Sequence, residues 1–164
     1  MRYLPFLILA AGLTACSHPA GHDQELQARI DSLEQQLDHA YKPGFGEFMS
    51  SIQVHHAKLW FAGQSANWEL ADFEIQEIKE SLKDLQTYCT DRPEIQEIGM
   101  IDQPLDSVQH AVQLNDLSRF AAAYSLLTQT CNSCHQATDH GFNVIKTPET
   151  PPFTNQDFSV HKTD

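Results

Sequence analysis

The stretch "WELADFEIQEIKESLKDLQTYC", Trp68 to Cys89, carries the most regular pattern in the chain. Its apolar members Trp68, Ala71, Ile75, Ile78, Leu82, Leu85 and Cys89 are spaced 3, 4, 3, 4, 3, 4. That period belongs to an α-helix with one packed face, the acids and lysines between facing water. A strand would alternate every second residue, and no alternating run of useful length occurs anywhere in the chain. The expected fold class is therefore all-α.

Working outward, "TDRP" (Thr90 to Pro93) closes this helix. Before it, a helix is expected over Phe45 to Ala62, ended by Gly63, with Ser65 or Asn67 capping the next by accepting its free backbone N–H groups. "KPGFG" (Lys42 to Gly46) separates that helix from "DQELQARIDSLEQQLDHA", whose Leu26, Ile30, Leu33 and Leu37 form a seam of two heptads. Downstream, a third helix is expected over Pro104 to Leu114, or from nearer Pro93 with a break at Gly99. Asn115 or Asp116 caps a fourth, which carries Leu117, Phe120, Tyr124, Leu127, Cys131 and Cys134 along one face. The expected architecture is an antiparallel four-helix bundle over residues 43–140. A tether and helical stalk at 16–42 precede it, and an irregular, Pro-rich tail at 141–164 follows. The stalk seam could pair with copies of itself, making a homo-oligomer.

The 164 residues suffice for one domain with a modest core. "MRYLPFLILAAGLTAC" has a basic Arg2, an apolar run from Leu4 to Leu13 and small residues before Cys16, the layout of a secretory signal over residues 1–15. "LTAC" (Leu13 to Cys16) resembles the lipobox of bacterial lipoproteins. That resemblance implies diacylation of Cys16 and stable membrane anchoring. Ser17 in place of Asp then implies the periplasmic face of the outer membrane; without the lipid, the product would be soluble in the periplasm. Formal net charge is −12, and removing residues 1–15 makes it one unit more negative. So acidic a chain argues against nucleic acid as a partner. Eleven acids against three basic residues lie between Glu69 and Asp106, a face that could steer a basic redox partner.

The fourth helix ends in "TCNSCH", Thr130 to His135. C-x-x-C-H is the attachment signature of c-type haem. On a helix Cys131, Cys134 and His135 stand at i, i+3 and i+4 and share a face. Two thiols can then join the vinyl groups of one porphyrin while the His135 imidazole reaches its iron. A thioredoxin-like pair is expected beside a βαβ pattern, which is missing here. Zinc needs four ligands, and the two thiols with His135 or His140 leave one to be found. A plain disulfide is permitted in an oxidising compartment. The export signal, the following His and the shared core face favour one haem c.

The segment "VQHAVQLNDLSRFAAAYSLLTQTCNSCHQATDH" resembles the last two helices of class II cytochromes c, the cytochrome c′ family. Class I members carry the motif early with a Met ligand downstream, whereas Met here stands only at 1, 49 and 100. The resemblance implies a haem-binding four-helix bundle, with His135 as axial ligand and the distal residue from the first bundle helix. In that family an Arg usually follows the motif beside a haem propionate; here Gln136 to His140 stand there.

For the distal side, Met49, His55 and His56 are the candidates. An iron about eleven residues, ~16 Å, into the helix favours the histidines. "HAKLWFAGQSANWELA" resembles a block in a group of uncharacterised exported bacterial proteins; it begins at His56, which leans the expectation to His56 over His55. Cys89 continues an apolar stripe and is expected to be a buried, inert thiol. Trp60 and Trp68 are expected in the core, His110 and His140 at the surface. Phe142, Phe153 and Phe158 could cover a haem edge. The expected function is a membrane-tethered monohaem electron carrier. Alternatives are a gas-binding haem protein with an open distal site, and a non-haem accessory lipoprotein with a structural or zinc-binding Cys pair. No other catalytic constellation points to an enzyme.

Overall fold

The computed structural model describes residues 20–161. The signal segment, Cys16 and the last three residues lie outside them. Every regular element among the described residues is helical: α1 (Ala20–Asp38), α2 (Phe45–Gln64), α3 (Trp68–Tyr88), α4 (Asp102–Gln113) and α5 (Leu117–Ala137), with 3₁₀ turns at Pro93–Gln96 and Ile98–Ile101. The all-α expectation holds.

The chain divides into two units, meeting between Tyr41 and Lys42. In the first, the seam of α1 is uncovered, with Leu26, Ile30, Leu33 and Leu37 all exposed. In the second, α2 packs along α3 and α4 along α5, while α3 also touches α4 and α2 touches α5. The α3 stripe faces this core as its period requires: all seven of its members are buried except half-buried Trp68. Leu59, Ala62, Leu105, Val108, Phe120 and Tyr124 meet it from the other helices. Side chains of this size gain ~1.5–3 kcal/mol each by leaving water, so the stripe is the main reason α3 is helical.

The turns follow local chemistry. Asn67 caps α3 by accepting from Leu70 N at 3.2 Å, and Asp116 caps α5 by accepting from Arg119 N at 3.0 Å. Gly44 N donates to Glu47 Oε2 at 2.7 Å and starts α2. Gly63 does not end α2, which runs to Gln64; Ala66, at φ 52°, makes the reversal instead. Gly63 is buried, and a Cβ on it would overlap the Phe120 ring, so its role is close approach. The region between α3 and α4 is two 3₁₀ turns, because Pro93 and Gly99 interrupt any longer helix.

The tail is irregular but docked at two places. Phe158 is buried with its ring centroid 5.7 Å from that of Phe61, and Asn67 Nδ2 donates to the Phe158 and Ser159 carbonyls. Phe142 and Phe153 are exposed.

Candidate functional site

A cavity of about 300 Å³ opens where the last turns of α5 meet the first half of α2. Phe45, Met49, Ile52, Ile98, Ile101 and Ile145 make its apolar walls. Cys131, Cys134 and His135 enter it together from α5, as their i, i+3, i+4 spacing requires. Both thiols are free. Burial pushes the Cys131 thiol up to about 11, with its neighbour Cys134 adding to the shift. Cys134 is raised as well, by burial first and then by Glu97 and Glu94.

The end of α5 is fixed from outside the helix. Thr138 Oγ1 donates to the Cys134 carbonyl at 2.9 Å, and Asp139 at φ 60° turns the chain back. The returning strap is then held twice by Asn132, which accepts from Ile145 N at 2.7 Å and donates to Ile145 O at 2.8 Å. On the same strap the Asn143 carbonyl lies 2.5 Å from His135 Nδ1. A carbonyl only accepts, so Nδ1 carries a proton, and in the neutral imidazole Nε2 keeps the lone pair. This is the tautomer of metal-ligating histidines, whose other ring nitrogen donates to a carbonyl or carboxylate.

The two candidate distal histidines part company. His55 turns toward α3: its Nδ1 lies 2.7 Å from Glu74 Oε2 and its Nε2 3.8 Å from Glu77, so it is not on the cavity wall. Glu74 is fully buried, with the Lys58 ammonium 3.1 Å from its other oxygen, outside hydrogen-bond geometry. His56 does line the cavity, but both its ring nitrogens are engaged. Nε2 lies 3.0 Å from Thr128 Oγ1 and Nδ1 3.0 Å from the Tyr124 hydroxyl, which also donates to the His56 carbonyl at 3.0 Å. Thr128 Oγ1 likewise donates to the Tyr124 carbonyl at 3.0 Å, so both hydroxyl protons have carbonyl acceptors and the single ring proton of neutral His56 serves one of its two ring contacts. The rings stack at 4.5 Å. Burial lowers His56 to about 4 and raises Tyr124 well above its usual range. Met49 also lines the cavity.

Charge gathers at one side. Arg92 grips buried Glu94 with two bonds, Nη2 to Oε1 at 2.8 Å and Nε to Oε2 at 3.3 Å, holding that carboxyl below its usual range. His140 Nε2 lies 4.0 Å from Glu94 Oε1. Sequence reading missed this group: Arg92 sat in a helix-ending "TDRP", and its partner is two residues on in an aperiodic turn. Asn132 and Ile145 were also missed, because their pairing spans 13 residues of irregular chain.

Comparison with family models, curated proteins and solved structures gave no match. Among the described residues, no group of three or more His, Cys, Asp or Glu is gathered to hold a metal ion directly. What α5 itself presents at the cavity is two thiols and one imidazole on a single helix face beside an apolar space, with His56 and His140 on other parts of the wall. That set fits a flat, covalently tethered porphyrin better than a four-ligand zinc site.

Proposed function

We propose that this cavity holds one c-type haem, thioether-linked to Cys131 and Cys134 with His135 on the iron, and that the protein is an exported monohaem electron carrier. The observation that carries the reading is the joint entry of both thiols and the ligand-ready His135 into one apolar cavity. A bound haem would supply one-electron chemistry. The chain's own residues would exclude water with Phe45, Ile52 and Ile145, and hold the imidazole through Asn143 and the Asn132 clamp. The rest of the proposal is a lipid on Cys16, tethering to the periplasmic face of the outer membrane, and a basic redox partner met through acidic α3. A homo-oligomer would close the α1 seam.

The antiparallel four-helix bundle belongs to the same proposal. Trp60 packs on Phe120 and Tyr124, with centroids 6.1 and 4.8 Å apart, and His56 packs on Tyr124 and Thr128. Going back along α2 therefore goes forward along α5. Two more turns in that register bring Met49 opposite His135. With both histidines engaged elsewhere, Met49 becomes the preferred sixth ligand in place of His56.

The second reading, an open distal site for a small gas, is favoured by the engagement of both histidines. An absorption spectrum of the exported protein, with acid–acetone extraction, tests the haem. Absence of covalently retained haem sinks both haem readings. Carbon monoxide then separates them: slow adduct formation in wild type that becomes fast in Met49→Ala, with His56→Gln unchanged, supports the Met49 carrier. A fast adduct in wild type supports the open site.

A further inference from the structure

We infer that Arg92 is a positioning residue of this cavity, receiving a carboxylate of the ligand it holds; the inference rests on the haem reading and assigns Arg92 to a haem propionate. Among the described residues lining the cavity, Arg92 is the sole Lys or Arg. Its guanidinium lies 5.8 Å over the ring of Phe45, the first residue of α2, which is itself part of the apolar wall. That stacking spreads the charged plane along the wall.

The hydrogen bonds leave capacity. A guanidinium has five N–H donors, and Glu94 takes one from Nε and one from Nη2. Three donors remain, at the angles that grip a second carboxylate. Glu94, buried and bidentate, acts as the post that aims this fork and leaves one edge open. His140 approaches the same carboxylate from the α5 side. A ligand with a flat apolar body and acidic groups at one edge matches an apolar cavity with a single aimed guanidinium. A neutral ligand would leave the three donors to water alone.

The pairing with Glu94 makes a simple substitution ambiguous, because Arg92→Gln strands a buried carboxylate beside the site. The test is therefore a double-mutant cycle on the haem-loaded, exported protein, read as midpoint potential by spectroelectrochemistry at pH 7. Wild type holds both charges of the pair and Arg92→Gln/Glu94→Gln holds neither. If Arg92 only neutralises Glu94, the double variant has the wild-type midpoint, and the inference is overturned. If Arg92 grips a propionate, a cation has been removed from the haem edge. The double variant then falls below wild type, and further below Glu94→Gln alone. Arg92→Lys in the Glu94→Gln background keeps the charge without the fork and is expected between Glu94→Gln and the double variant. The double variant strands no buried charge, so its folding is not the obstacle that Arg92→Gln could meet. A wild-type protein without covalent haem sinks the haem reading and this inference together; haem-loaded variants with equal midpoints sink this inference alone.

Discussion

His56 shows what a single buried residue does to the pH response. Its folded pKa, about 4, lies below the ordinary histidine value near 6.5. Between those two values the unfolded chain takes up a proton that the folded chain refuses. Stability from this residue is therefore whole above about pH 6.5 and falls as pH drops toward 4, by about 3 kcal/mol in all. Urea unfolding of wild type and His56→Gln across that window should show a steeper acid loss in wild type. Parallel curves would count against a buried neutral His56. Cys131 offers a second reading at the same scale. With its thiol raised from 9.0 to about 11, it should carry roughly 100-fold less thiolate than in the unfolded chain. Haem-free protein should alkylate at Cys131 correspondingly more slowly when folded than in denaturant, as peptide mapping would report.

Among the elements, α3 is held by its stripe and α5 by its end. Ile78, almost fully buried, should cost ~2–5 kcal/mol when cut to Ala, measured as a shift in unfolding midpoint. Gly63→Ala should cost at least ~1–3 kcal/mol because the added methyl meets the Phe120 ring, while Gly46→Ala, in open space, should not. Such contrasts mark what the sequence made legible. Periodicity revealed α3, and Asn67 and Asp116 announced themselves as caps because capping acts within three residues. The role of Gly63 was hidden, since its reason stands 57 residues away on another helix. His55 and His56 are adjacent in sequence, yet a helix turns ~100° between neighbours. That single step sends one to Glu74 and the other to the cavity wall.

Over the whole molecule the acids outnumber Lys and Arg by 22 to 10. A charge of this size steers association at long range and is screened over ~10 Å at 0.1 M salt. On the proposed carrier reading, electron exchange with a strongly cationic partner should slow at least about tenfold between 10 mM and 500 mM salt, as stopped-flow would show. An anionic partner should show the opposite slope. The acidic composition was plain from the sequence; the lone Arg92 set against it at the cavity was not, because its meaning depends on which wall it joins.

The Asn132 clamp has a consequence in time. Once Ile145 is bonded to Asn132 and Asn143 to His135, the segment bearing both thiols is pinned along its length, and the thiols are half-buried and poorly ionised. Bond formation at sulfur is favoured while that segment is still open and its thiols ionise normally. Covalent attachment at Cys131 and Cys134 is then faster ahead of folding, with the strap as the step that slows it. Order of assembly, and not only final geometry, is built into residues 130–145.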